Sequence, residues 1–283
     1  VRVRFWGVRG TIPVPGPDTL KTGGNTACVS VHTPDNQLII IDAGSGIRRL
    51  GQVLEAQDSS RIVGTLLISH THWDHIQGFP YFGPAFARNN RFVIVGQKRV
   101  GQRLEEVLAR QIVEPYLPFD FTTLSADFHV KEVSDQETMV IGDETVVRVA
   151  ELNHPGGCLG YRLENNGAVL VYCTDTMHPG GRPDPNIIQL AKNADLLIHD
   201  AQFSLFERDR FPQWGHSSWL EAARLAQEAE VKMLALFHYS PDATDQFLEE
   251  DSLPRTRELF PATILAREGL QIQLPFAEDS WLE

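Results

Sequence analysis

Leu66-Leu67-Ile68-Ser69-His70-Thr71-His72-Trp73-Asp74-His75 is the stretch on which the reading of this chain turns. An apolar strand runs directly into three histidines and an aspartate within six positions. In a chain with 10 histidines among 283 residues, a His-x-His-x-Asp-His string arises by chance in roughly one such composition in a thousand. Four ionisable side chains crowded at a strand end repel one another or go unsatisfied unless something positive organises them. A divalent cation does this. Imidazole and carboxylate at such density suit zinc or manganese and also admit ferrous iron, whereas thiolate and all-oxygen sites are built differently. A catalytic zinc ion normally takes three protein ligands and leaves a position for water, so this string, with further ligands downstream, implies two adjacent ions.

Working outward, three more candidates each follow an apolar strand-like run: His154 in Leu152-Asn153-His154-Pro155, Asp175 in Cys173-Thr174-Asp175, and His238 in Leu236-Phe237-His238. The surrounding pattern is rich in strands. Residues 1–8, 27–33, 37–42 and 62–69 read as strands separated by turn residues, and the β pattern resumes from Phe128. Gly142-Asp143 and Asn165-Asn166-Gly167 read as hairpin turns, and 194–199, 232–237 and 270–274 as later strands. Apolar residues at spacings of three and four predict helices over 100–113, 218–229 and 245–260, the last broken at Pro254. No repeat, low-complexity tract or Ser/Gly linker divides the chain. We expect one α/β domain over 1–283. A strand-rich first half to about residue 135 and a second half with the same order would stack as two sheets between outer helices, a four-layer αββα sandwich.

With 42% hydrophobic and 22% charged residues, the composition is that of a soluble globular protein. No apolar run approaches the roughly 20 residues of a membrane helix, and no export signal is visible at the N-terminus. A net charge of -12 sets the surface field against a long polyanion, so a large nucleic acid is disfavoured as a partner. Cys28, Cys158 and Cys173 form an odd, widely spaced set, which points to a reducing cytoplasmic setting.

The string, its order and its spacing resemble the metallo-β-lactamase superfamily, and within it the branch holding ribonuclease Z and small cyclic phosphodiesterases. The resemblance runs from Phe5-Trp6-Gly7 and Gly23-Gly24-Asn25-Thr26 through Ile41-Asp42-Ala43-Gly44 to His238. It implies that His70, His72 and His154 hold one ion, that Asp74, His75 and His238 hold the second, and that Asp175 bridges them. Their shared water would be the nucleophile, with Asp74 orienting it or taking its proton. Leu197-Ile198-His199-Asp200-Ala201 and Gly215-His216-Ser217 resemble the His-Glu-Ala-Thr and His-Ser-Thr segments of ribonuclease Z-like enzymes, in which a carboxylate orients a histidine that protonates the leaving oxygen. Asp200 and His216 occupy those positions, with Asp in place of the usual Glu. Ser218-Trp219-Leu220-Glu221 is in addition a capping-box string, and a helix N-terminus suits a phosphate oxygen. His32, His129 and His178 lack a ligand context. Arg9, Trp73, Trp214 and Tyr239 are of types that touch anionic or base-bearing substrates, but are read first as packing or ion-pair residues.

Two ions, a bridging water and an independent acid match attack on a phosphodiester, where charge builds on the departing alkoxide. Lactam and lactone hydrolysis needs that acid less. Ribonuclease Z carries a long arm for transfer RNA between the ligands corresponding to His154 and Asp175, and the 20 residues that separate them here leave room only for a hairpin. The expected function is therefore a dinuclear-metal phosphodiesterase acting on small cyclic phosphodiesters, either cyclic nucleotides or sugar cyclic phosphates. The alternatives are a ribonuclease Z-like RNA endonuclease and a non-catalytic metal-dependent nucleotide sensor. The resemblance also implies a homodimer.

Overall fold

The computed structural model describes residues 1–57 and 61–275. Its strands are β1 Arg2–Gly7, β2 Cys28–His32, β3 Leu38–Ile41, β4 Val63–Leu67, β5 Arg91–Gln97, β6 Asp127–Val133, β7 Thr138–Ile141, β8 Thr145–Leu152, β9 Cys158–Asn165, β10 Ala168–Cys173, β11 Leu196–Asp200, β12 Met233–Phe237, β13 Thr263–Leu265 and β14 Gln271–Gln273. They form two sheets. One runs β14-β1-β2-β3-β4-β5-β6 and the other β13-β12-β11-β10-β9-β8-β7. The chain thus changes sheet between Val133 and Thr138, where the sequence places the division of its halves, and among the described strands only β14 returns to the first sheet.

Alternation along the strands explains the layering. In β3 both faces are buried: Ile39 and Ile41 join Val3, Phe5, Val147, Tyr161 and Tyr172 between the sheets, while Ile40 joins Leu66 and Ile94 on the opposite face. The helices are α1 Ile47–Glu55, α2 Trp73–Ile76, α3 Leu104–Arg110, α4 Pro185–Ala191, α5 Leu205–Arg210, α6 Trp219–Glu228, α7 Asp245–Phe247 and α8 Leu253–Leu259. Ile47, Leu50 and Leu54 of α1, with Leu104 and Leu108 of α3, cover the first sheet's outer face. Ile187 and Leu190 of α4, with Ala222, Ala223 and Ala226 of α6, pack with the second sheet. The arrangement is the expected four-layer αββα sandwich.

Two helices differ from expectation. The segment predicted as helix over 100–113 is helical only over Leu104–Arg110, because Gly101 at φ +75° and an Arg99–Gln102 bridge turn the chain first. Pro254 does not break the later helix. A π-helical turn over Leu248–Ser252 carries α7 into α8, and Pro254, directly after that wider turn, is accommodated where the helical hydrogen-bond ladder is already interrupted. Asn166 and Gly167, both at positive φ, form a two-residue hairpin loop between Asn165 and its partner Ala168. Among the described residues no helix is long and apolar enough to cross a membrane.

Candidate metal centre

The candidate residues gather at the carboxyl ends of strands, the end at which open α/β sheets take ligands. His70 and His72 follow β4, and Asp74 and His75 lie in α2. His154 follows β8, Asp175 follows β10, Asp200 ends β11, and His238 follows β12. Asp42, directly after β3, shares with Asp175 and His238 a left-handed backbone, with φ of +61°, +55° and +59°. Such a conformation costs a non-glycine residue of order 1–3 kcal/mol and concentrates at functional sites.

Four overlapping groups of donors form among the described residues; His216 joins two of them, with His154 and Asp175 and with Asp200 and His238, and the other two hold the predicted ligands. In the first of these, His154 Nε2 stands 3.1 Å from His72 Nδ1, and His70 Nε2 completes the set. The second comprises Asp74, His75, Asp175 and His238. Here His75 Nε2 is 3.1 Å from His238 Nε2, 3.3 Å from Asp74 Oδ2 and 3.1 Å from Asp175 Oδ2. His238 Nε2 lies 3.1 Å from Asp74 Oδ2 and 3.3 Å from Asp175 Oδ2. Donors held about 2 Å from one tetrahedral centre stand roughly 3.3 Å apart, so the second group fits a single divalent cation. Asp175 faces both groups, because its Oδ1 is 3.7 Å from His70 Nε2 and 3.8 Å from His154 Nε2.

Burial sharpens the case. Apart from His72, which is exposed, these side chains are buried, and the Nε2 of His70 has no hydrogen-bond partner among the described residues. A buried imidazole nitrogen left unpaired is costly unless a ligand meets it. Burial opposes charge on His75, but Asp175, Asp74 and Asp42 outweigh it and raise its pKa well above the usual value. Burial likewise opposes the Asp175 carboxylate, and His238, His75 and His70 outweigh it and hold its pKa well below the usual range. The cluster thus holds buried carboxylate charge that a proton on His75 offsets and that divalent cations would offset in its place.

Asp200 reaches His216 despite its shorter side chain: Oδ2 is 2.8 Å from Nδ1, and that nitrogen is 3.9 Å from Asp175 Oδ1. Backbone N–H groups of Gln202 and Thr176 donate to the two Asp200 oxygens at 2.9 and 3.3 Å. Burial works against a charged His216 ring, yet Asp200, then Asp175 and Asp74, outweigh it and raise its pKa. The Ser218–Glu221 capping box forms immediately after it.

Asp42 had no role in the sequence reading beyond its place in the resemblance. Its Oδ2 is 2.8 Å from His75 Nδ1 and accepts from Ser69 Oγ at 2.8 Å and from Tyr172 OH at 2.7 Å, while Oδ1 accepts from the Ser69 N–H at 2.7 Å. A carboxylate behind a ligating imidazole fixes its tautomer and raises its basicity. Gly10 was missed as well: a Cβ there would come within 2.3 Å of the His238 ring. Only the position of Gly10 beside Arg9 marked it in the sequence.

Arg9 and Tyr239 are internal. Arg9 lies 3.7 Å from Asp245 and donates to the carbonyls of Gly23, Ser240 and Ala243, and the Tyr239 hydroxyl donates to the carbonyls of Leu236 and Ala266. Trp73 and Trp214 remain partly exposed and line a cleft of about 600 Å³ over His72, His154, Asp175 and His216. His129 is exposed beside Asp127, and His178 stacks on His199 with a pKa pushed down to about 4 by burial.

Residues 37–239 match the family described as Beta-lactamase superfamily domain. The chain is 27% identical to Ribonuclease Z of Treponema pallidum (strain Nichols) over 296 aligned residues, covering 86% of this chain and 90% of the relative. Its fold is similar to that of the metallo-beta-lactamase fold protein YhfI from Bacillus subtilis, with a TM-score of 0.72, 19% identity and coverage of 96% and 98% of the two chains. It is also similar to a diphosphatase from the PhnP family, with a TM-score of 0.70, 18% identity and 98% of each chain covered.

Proposed function

The chain belongs to the beta-lactamase superfamily, and from that premise we propose that it is a metal-dependent phosphodiesterase acting on small cyclic phosphodiesters. His70, His72 and His154 would hold one divalent cation and Asp74, His75 and His238 a second, with Asp175 between them; zinc and manganese both suit these donors. Cations bound there would offset charge on the phosphoryl oxygens and lower the pKa of a water they share. Asp74, anchored by the Thr11 N–H at 2.7 Å, would orient that water or take its proton as its oxygen attacks phosphorus. The ester P–O bond on the far side breaks. His216, whose Nδ1 is committed to Asp200, gives the proton of its other ring nitrogen to the departing alkoxide. The observation that carries this reading is the 2.8 Å Asp200–His216 contact beside Asp175, since a basic alkoxide needs an acid that lactam or lactone cleavage needs less.

A second reading, an RNA endonuclease, is favoured by the name of the Treponema relative. Against it, 296 aligned residues draw on only 86% of this 283-residue chain, so the relative carries segments with no counterpart here. The stretch between His154 and Asp175 holds only the β9–β10 hairpin. The three buried, unbridged cysteines suit a cytosolic setting. The deciding experiment is hydrolysis, by zinc- and manganese-loaded protein, of 2′,3′- and 3′,5′-cyclic nucleotides, a sugar cyclic phosphate, a precursor transfer RNA, a lactam and a lactone. Turnover confined to cyclic phosphodiesters is expected. Cleavage of the RNA would replace the reading with the second, and metal binding without any turnover would favour a sensor.

A further inference from the structure

Beside the metal cleft lies a second cavity of about 560 Å³, and Thr71 and Trp73 line both. Trp73 stands between His72 and Asp74 in the sequence, so the residue linking two proposed metal ligands also forms the wall shared by the two spaces. Tyr81 and Tyr116 are further wall residues of the second cavity, with aliphatic Ile76 and Leu117. Trp73, Tyr81 and Tyr116 are each more than half exposed, an unusual concentration of aromatic surface at one cavity.

Gln111 adds a second, independent observation. It lines the same cavity and is 6% exposed, yet neither its amide nitrogen nor its amide oxygen has a hydrogen-bond partner among the described residues. Burying an unpaired amide is unfavourable, and a ligand that brings a donor and an acceptor side by side recovers the loss. The edge of a nucleobase carries such a pair, and a glutamine amide is the side chain that matches it in two bonds. The base's flat face would in turn stack on the aromatic wall. A sugar can also lay its C–H face on an aromatic wall, but it presents separate hydroxyls rather than the coplanar donor–acceptor edge that a primary amide meets in two bonds, and a purely apolar group would leave Gln111 unpaired. We propose that this cavity is a nucleobase-binding subsite, entered over Trp73 from the metal cleft, so that the substrate is a nucleoside-bearing phosphodiester. The proposal deepens the phosphodiesterase reading and rests on it for the placement of the phosphate.

The test reads binding rather than turnover. Metal-loaded protein is titrated by calorimetry with the four nucleoside 5′-monophosphates and with ribose 5-phosphate. At least one nucleotide is expected to bind about tenfold or more tightly than ribose 5-phosphate. Trp73→Ala and Tyr116→Ala should each erode that margin severalfold. Gln111→Met, which keeps the side-chain length without the amide, should alter the ranking of the bases; Tyr116, at the surface, provides a variant whose folding is not in question. Equal affinity for nucleotides and ribose 5-phosphate, or a margin that survives all three substitutions, overturns the subsite. So does a dimer in sedimentation that Trp73→Ala dissociates, because a second copy would then occupy this wall. Hydrolysis of an activated aryl phosphodiester, which carries no base, tests the phosphodiesterase reading separately, so that the two can fail independently.

Discussion

His216 has one ring nitrogen bound to Asp200 at 2.8 Å and stands 3.9 Å from Asp175, which makes two proposed roles separable by substitution. As the acid, its loss in His216→Ala should slow cyclic phosphodiester turnover by about 10²- to 10⁴-fold and spare an activated aryl ester, whose leaving group needs no proton. Metal stoichiometry measured by mass spectrometry should stay at the wild-type value; full metal loss would make His216 a ligand instead. Asp42→Asn is the complementary case. Asn tolerates the φ of +61° at that position but presents a neutral oxygen or an N–H donor to a cluster that already donates from Ser69 and Tyr172. Metal affinity measured by competition with a chelator should fall about 10- to 100-fold while the fold persists. An unchanged affinity would reduce Asp42 to a packing residue. The histidine string was legible because its members are crowded within six positions, whereas Asp42 is one aspartate after one strand, and nothing local ties it to a histidine 33 residues later.

At the scale of elements, the site depends on where strands stop. β4, β8, β10, β11 and β12 each end on or within a few residues of a candidate side chain, and the apolar runs preceding those residues announced this in the sequence. Boundaries set by close approach were not legible. β5 (91–97) and α1 (47–55) passed unassigned, although Ile47, Leu50 and Leu54 are spaced as a helix face. The helix predicted from residue 100 starts late because a turn at Gly101 precedes it, and periodicity carries no information on such a turn. The contact between the segment after β1 and the residue after β12 belongs to the same kind. The Gly10 N–H donates to the Tyr239 carbonyl at 3.0 Å, and its α-carbon lies against the His238 ring. Gly10→Ala should therefore displace that imidazole and lower occupancy of the second donor group, with the first group, which His238 does not join, retaining its ion. Spectra of cobalt-substituted protein distinguish the two, and equal occupancy of both groups in the variant would refute the packing argument.

For the whole molecule, the consequence lies between the sheets. His70, His72, Asp74 and His75 belong to the first sheet's strand ends, and His154, Asp175 and His238 to those of the second, so each proposed ion takes ligands from both. Cations there would act as fasteners between two layers that are otherwise held by apolar packing, and their removal would leave the buried Asp175 and Asp74 carboxylates with only a protonated His75 to offset them. A ligand present at about 100 times its dissociation constant stabilises the folded state by about 2.7 kcal/mol, and a domain of about 150–250 residues shifts in melting temperature by about 2–4 °C per kcal/mol. Exhaustive chelation should thus lower the melting temperature by about 5–10 °C for each ion lost, and zinc or manganese added back should restore it in proportion to the metal bound. The drop should shrink in Asp175→Ala, which removes the carboxylate facing both groups and with it much of the metal to be lost. A melting temperature indifferent to chelation, in protein shown to have bound and then released metal, would mean that the two sheets do not depend on the ions and that the strand ends are organised by their hydrogen bonds alone.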